Sequence, residues 1–120
     1  MRKTVQSFED LLVWQKAHQL VLHVYRVTKG FPKEELFGIV SQIRRSAVSV
    51  PANIAEGFRK STKAEKQRYL TIAHGSLEET RYYLLLSRDL GYCQIPEIRK
   101  LADEVGKLLT LYYRSIVDFV

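Results

Sequence analysis

The chain has few of the residues that interrupt or cross-link a fold. Its 120 residues include six glycines, three prolines and a single cysteine. Few turn-forming residues predict few loops, and one cysteine excludes an intramolecular disulfide. No cluster of cysteine and histidine indicates a metal site, so we expect neither a metal nor another cofactor. The length is that of one domain, spanning residues 1–120.

Long apolar runs are also missing. No stretch approaches the roughly 20 apolar residues that cross a membrane. The N-terminal segment acquires Glu9 and Asp10 before any apolar run of signal-peptide length begins. We therefore expect a soluble protein of the cytoplasm with no membrane partner.

Apolar residues instead recur at helical spacing in four segments. The predicted helices run from Glu9 to Lys29, from Lys33 to Phe58, from Thr62 to Leu90 and from Pro96 onward. Ser7 and Thr62 are placed to cap the first and third helices, each with an acid three residues later. No segment alternates as a strand between hairpin turns. The sequence predicts an all-α, up-down-up-down four-helix bundle.

The second helix contains the most informative stretch, QIRRSAVSVPANIAEGF from Gln42 to Phe58. Its expected core stripe comprises Leu36, Val40, Ile43, Ala47, Val50, Ile54 and Phe58. Pro51 lies inside this helix and should kink it, because it removes a backbone donor at a cost of roughly 3 kcal/mol. The opposite face carries Arg45 and a candidate interaction surface made of Ser49, Asn53 and Glu56.

The first helix has two apolar stripes where an isolated bundle needs about one. The stripe through Val13, Ala17 and Leu20 is assigned to the core. A second stripe is a candidate oligomer interface and comprises Leu11, Trp14, His18, Val21 and Tyr25. Adjacent tyrosine pairs in the third and fourth helices also place rings away from the core, as is common at interfaces. These features favour a homo-oligomer.

Charge is the clearest functional signal. The net charge is +6, and the segment from Arg59 to Arg68 holds five basic residues and one acid, Glu65. Such a cluster can bind phosphates, and the adjacent Tyr69 could stack on a base. The candidate nucleic-acid-binding residues are Arg44, Arg45, Arg59, Lys60, Lys63, Lys66 and Arg68. The alternative is a solvated helix face that only keeps the protein soluble.

No pattern indicates catalysis. His18, His23 and His74 lack the Glu-x-x-His spacing of carboxylate-bridged metal sites in bundles. Cys93 has no histidine near it in the sequence, no serine occupies a nucleophile elbow, and the glycines form no phosphate-binding loop. We expect a protein that is not an enzyme.

Three segments carry a resemblance to a known family. They are SFEDLLVWQKAHQLVLHVY near the start, QIRRSAVSVPANIAEGF in the second helix and EKQRYLTIAHGSLEE in the third. Together they cover nearly the whole chain, and SVPANIAEG, from Ser49 to Gly57, is their most distinctive part. The chain resembles the four-helix-bundle proteins encoded within intervening sequences of bacterial 23S ribosomal RNA genes.

The resemblance implies a bacterial protein that assembles as a homopentamer, in a family that mostly has no established biochemical role. A related branch, the accessory variability proteins of diversity-generating retroelements, forms basic pentamers that bind nucleic acid and a reverse transcriptase. The function expected is therefore that of a homo-oligomer binding RNA or DNA through a basic surface. The alternative is a scaffold that binds a protein partner and has no nucleic-acid role.

Overall fold

The computed structural model describes residues 4–117, which form four long helices and no strand. They are α1 (Leu12–Thr28), α2 (Ser41–Phe58), α3 (Lys63–Asp89) and α4 (Pro96–Val117). In a closed cycle, α1 packs on α2, α2 on α3, α3 on α4 and α4 on α1. Short connections between these helices make neighbours antiparallel. The predicted all-α four-helix bundle is confirmed.

The start of the first helix differs from the prediction. Ser7 forms the expected capping box with Asp10, but the box caps a short 3₁₀ turn, Phe8–Asp10. Leu11 then adopts an extended conformation (φ −78°, ψ 125°), so α1 begins at Leu12 rather than Glu9. The spacing of a capping box fits either kind of first turn, so the sequence did not distinguish them.

Both ends of α3 follow the sequence closely. The Thr62 hydroxyl accepts a hydrogen bond from the Glu65 amide at 3.2 Å, which caps the helix. After the helix, Gly91 has φ +79°. The Gly91 amide donates to the Arg88 carbonyl and the Tyr92 amide to the Ser87 carbonyl. This pair of bonds is the Schellman pattern, which requires a residue with positive φ and so favours glycine.

The chain reaches α2 through two irregular turns where a regular helix was expected. Lys33–Glu35 is a 3₁₀ turn, and the helical segment Leu36–Val40 is kinked at Gly38, whose angles are non-helical (φ −106°, ψ −116°). Leu36, predicted to be in the core, is half exposed, and Phe37 is 91% exposed. The irregular turns rotate these side chains away from the stripe that continues through Val40 and Ile43.

Within α2 the rest of the expected core stripe is correct. Ile43, Ala47, Val50 and Ile54 are fully buried, and Phe58 is partly buried at the helix end. Pro51 is also buried and lies inside a helix assigned without a break from Ser41 to Phe58. The kink at Pro51 stays a prediction.

The remaining helices complete a single core. The apolar spacing of α3 predicts a core line through Leu70, Ala73, Leu77, Thr80 and Leu84, and all five are buried. The repeat in α4 predicts a line through Ile98, Leu101, Val105, Leu108, Tyr112, Ile116 and Phe119. Ile98 and Val105 are buried as predicted, whereas Leu101 and Leu108 are only partly buried and the residues after them, Ala102 and Leu109, are fully buried. The predicted core position Phe119 lies outside the described residues.

Candidate nucleic-acid interface

Basic side chains converge on aromatic rings where α2 turns into α3. The Lys60 ammonium lies 5.1 Å from the centre of the Tyr69 ring, and the Arg68 guanidinium carbon lies 5.2 Å from it. The Arg59 guanidinium lies 5.8 Å from the Phe58 ring. Cation–π attraction at such distances holds long side chains in place. The turn therefore presents its positive charges on an aromatic support.

Lys66 has a structural role in the same turn. Its ammonium donates to the carbonyl of Phe58 at 2.7 Å and to the carbonyl of Gly57 at 3.3 Å. These are terminal carbonyls of α2, which have no partner within the helix, and a cation there also suits the helix dipole. Lys66 closes the end of α2, so only part of its charge faces outward.

Lys63 and Arg68 are the cations of this turn most available to a ligand. Both are exposed, and Lys63 is the first residue of α3. The unpaired amides of a helix N-terminus carry partial positive charge, which favours an anion at that position. The helix terminus and the side chains therefore contribute positive potential at one place.

Gly57 allows this arrangement and was not identified from the sequence as a functional position. A Cβ atom added to Gly57 would lie 3.0 Å from the Cβ of Tyr69. Glycine thus lets α2 approach the first turns of α3 and seats Tyr69 at the bend. The only sequence signal was a glycine just before the basic turn, and glycines in such places usually end helices.

The structure does not bring Arg44 and Arg45 to this turn. Fifteen residues of α2 separate Arg44 from Arg59, or about 22 Å along the helix axis. The Arg44 Nε donates to the Thr28 hydroxyl at 2.9 Å, and its guanidinium lies 4.5 Å from the Tyr25 ring. The seven predicted residues form two groups at opposite ends of α2.

Arg45 instead lies beside the candidate interaction surface. It lines a polar cleft of about 250 Å³ between α2 and α3 together with Ser49, Ser76 and Glu79. The Ser49 hydroxyl is 2.8 Å from the Ser76 hydroxyl, and the Asn53 amide donates to the Ser49 hydroxyl at 2.9 Å.

Two of the three predicted members of this surface have hydrogen-bond partners within the chain. Ser49 joins α2 to α3, and Asn53 bonds to Ser49 one turn earlier in α2. Glu56 is exposed on the same face.

The second stripe of α1 borders an apolar groove. Trp14 and His18 stack with ring centres 5.0 Å apart and planes 6° from parallel. Both line a groove of about 400 Å³ whose α2 side includes Val48, Pro51 and Ala52. Trp14 and Leu11 are partly buried, His18 and Tyr25 are exposed, and Val21 is buried at the base of the groove. The stripe is thus only partly covered within one chain.

Two titratable groups, His74 and Cys93, have pKa values shifted by burial. Burial lowers the pKa of His74, while the nearby Glu78 raises it less. Burial raises the pKa of the Cys93 thiol, which disfavours the reactive thiolate. Among residues 4–117, no group of three histidines, cysteines or acids could hold a metal ion. Within the same residues, no helix is long and apolar enough to cross a membrane.

Comparison with known proteins gives one family and one fold. The family model described as "23S rRNA-intervening sequence protein" matches residues 9–113. A crystal structure from Bacteroides thetaiotaomicron, of a protein with unknown function from the S23 ribosomal protein family, superposes with a TM-score of 0.76. It is 26% identical, and the match covers 86% of this chain and 96% of the other. No curated protein matches this sequence.

Proposed function

The chain belongs to the family of 23S rRNA-intervening sequence proteins, and we propose that it is a non-enzymatic homo-oligomer that binds RNA or DNA through its basic surface. The observation that carries the proposal is the cluster of cations held against Tyr69 and Phe58 at the α2–α3 turn. Phosphate contacts of this kind supply sequence-independent affinity. A cytoplasmic location suits such a partner and a free thiol at Cys93.

The binding surface in this proposal contains fewer residues than the seven predicted from the sequence. Arg59, Lys60, Lys63 and Arg68 supply the phosphate contacts, while Lys66 secures the end of α2. Arg44 and Arg45 lie too far along the helix to act with them in one chain.

Assembly raises the affinity that one small cluster can provide. A pentamer, which the family resemblance implies, would carry about +30 from five chains of +6. Weak phosphate contacts repeated around a ring act together, because the second contact is intramolecular once the first is made. The partly covered groove beside Trp14 and His18 is the surface we assign to subunit contacts.

A second candidate function is that of a protein-binding scaffold. It is favoured by the exposed Arg45, Glu56 and Glu79, which place charges of both signs beside the polar cleft between α2 and α3. A surface with paired charges of opposite sign complements another protein surface better than it complements nucleic acid, which is uniformly anionic. Binding by such a surface would not compete with nucleic acid at the α2–α3 turn.

The first test reverses the two most available cations. Lys63→Glu with Arg68→Glu should weaken binding to labelled single-stranded or double-stranded RNA and DNA at least tenfold. It should also reduce the magnitude of the slope of log affinity against log salt concentration by about one to two for each chain. Helix content should be unchanged, because a glutamate at the first residue of α3 suits the helix dipole. Binding is measured by fluorescence anisotropy over a salt series.

The matched control is Lys100→Glu with Lys107→Glu, which makes the same charge change on the exposed face of α4. If both double variants weaken binding equally, the effect is one of net charge and the assignment to the turn is wrong. If the native protein binds no nucleic acid at low salt while its oligomer is intact, the nucleic-acid proposal fails. Capture of a protein partner, lost on Arg45→Glu, would then support the scaffold.

A further inference from the structure

A further cavity lies at the end of the bundle opposite the basic turn, where α1 ends and the irregular turns lead into α2. Its volume is about 330 Å³, within the range of small-molecule sites. Phe31 and Val40 are buried in its wall, and Leu36 keeps half of its surface exposed beside it. The irregular turns create this space, because a regular helix from Lys33 would direct Leu36 into the core stripe.

The rim of this cavity is cationic. Lys29, Lys33 and Arg44 line it, and among residues 4–117 no carboxylate does. Glu35 is nearby in the chain, but it accepts a 2.7 Å hydrogen bond from the Tyr92 hydroxyl. An apolar wall with three cations and no acid attracts a molecule that is anionic at one end and apolar in its body.

Arg44 is positioned before any ligand arrives. Its Nε donates to the Thr28 hydroxyl at 2.9 Å, its Nη2 approaches the Tyr25 carbonyl at 3.5 Å, and its plane lies over the Tyr25 ring. Among residues 4–117, no hydrogen bond is made by Nη1 of Arg44. A guanidinium fixed in this way loses little freedom when it binds a carboxylate.

Another cavity shows why this rim is unusual. The larger space of about 650 Å³ between α3 and α4 is also lined by an arginine, Arg81. There, however, the arginine is paired with Asp103 and lies 3.3 Å from a Glu78 oxygen. The charge of Arg81 is neutralised within the chain, whereas in the part of the chain that the structure describes no acidic residue lines the cavity of Arg44.

From these observations we propose that the cavity binds a small carboxylic acid with an apolar body. The carboxylate contacts Arg44 and the two lysines, and the body packs on Phe31, Leu36 and Val40. Nucleotides suit the wall less well, because it offers no amide or carboxylate to pair with the edge of a base. The site is separate from the basic turn, about 22 Å away along α2, and its existence does not depend on nucleic-acid binding.

Isothermal titration calorimetry of the native protein with decanoate tests the proposal. Decanol, inorganic phosphate and adenosine monophosphate serve as comparison ligands. Decanoate should bind at least tenfold more tightly than each of the other three. Decanol has the apolar body without the charge, and phosphate has the charge without the body.

Variants then locate the site. Arg44→Gln should weaken decanoate binding at least tenfold. The double variant Lys29→Gln with Lys33→Gln should also weaken decanoate binding at least tenfold. It should not affect folding, because both lysines are exposed. Lys63→Gln with Arg68→Gln, in the basic turn, should leave decanoate binding unchanged. Equal binding of decanoate and decanol, tighter binding of adenosine monophosphate, or unchanged binding by the lysine double variant would each overturn the proposal.

Discussion

Gly57 and Gly75 both lie in helices, but their surroundings differ. At Gly57 an added Cβ would meet the Cβ of Tyr69 at 3.0 Å, and neither atom is at the end of a flexible side chain. At Gly75, in the interior of α3, an added Cβ would meet nothing within 4 Å. One glycine is required by close packing, and the other only adds backbone freedom to the unfolded chain.

This difference predicts opposite results for the same substitution. Gly75→Ala should raise the free energy of unfolding by about 0.5–1 kcal/mol, because alanine favours the helix and contacts nothing new. Gly57→Ala should lower it by roughly 1 kcal/mol, because the close contact outweighs the helical gain. Urea denaturation followed by circular dichroism measures both. A gain in stability at both positions would show that Tyr69 yields easily and that Gly57 is not needed for the turn.

At the scale of the residue, nearness in the chain was a better guide to position than residue type. Lys60 and Arg68, which are close in the sequence, both lie near the Tyr69 ring. Arg44 was grouped with them by residue type alone, although its contacts are with Tyr25 and Thr28 on α1. Contacts between helices depend on tertiary packing, which a single sequence does not record.

The pairing of α2 with α3 depends on small side chains with hydroxyl groups. The hydroxyls of Ser46 and Thr80 are 2.8 Å apart and buried, and Ser49 and Ser76 repeat the contact further along. Thr80 can also donate to the Ser76 carbonyl, and Ser46 to the Ile43 carbonyl. Because each hydroxyl has a single proton, one of the two donates to the other hydroxyl across the helix pair and the other donates to a carbonyl of its own helix.

Thr80 provides a test of how tightly this helix pair is packed. Thr80→Leu should lower the free energy of unfolding by about 1–3 kcal/mol, because the larger side chain has no space between α2 and α3. Thr80→Val, which keeps the shape and removes the hydroxyl, should cost only the roughly 0.5–1.5 kcal/mol of a hydrogen bond. Chemical denaturation again gives both values. Equal losses would mean that the hydroxyl matters and the close packing does not.

At the scale of the element, the four helices, most of their core faces and both ends of α3 could be predicted from apolar spacing and capping residues. The start of α1 and the approach to α2 could not. Ser7 and Asp10 stabilise a first turn of either type, and Leu11 then leaves the helical region. Around Gly38 the periodicity of Leu36 and Val40 suggested one continuous helix. The non-helical angles of Gly38 leave no trace in this spacing, and an isolated glycine within a helical pattern does not by itself indicate a kink.

For the whole molecule, the question that follows from the fold is what covers the groove between α1 and α2. Ala52 is exposed there and faces the stacked rings of Trp14 and His18 across the groove. Ala52→Glu should leave the fold of one chain intact, because the position is exposed on a helix. In an assembly that uses this groove, the same change would bury an unpaired charge at a cost of several kcal/mol.

Light scattering should therefore give the mass of a single chain for Ala52→Glu, and a larger mass for the native protein, which we propose is an oligomer. Ala64→Glu is the matched control, since it makes the same change at an exposed position of α3 outside the groove. The mass of the Ala64→Glu variant by light scattering should equal that of the native protein. An oligomer that survives Ala52→Glu would place the subunit contact on another face.

The kink at Gly38 also decides where the residues before α2 lie relative to its buried stripe. Its angles (φ −106°, ψ −116°) are outside the helical region, so Leu36 does not continue the helical positions of the residues that follow. A helix continued through Gly38 would place Leu36 on the same face as Val40, four residues later, and would leave no cavity wall between them. One residue with non-helical angles, without any change of side chain, can thus create a pocket in a helical bundle.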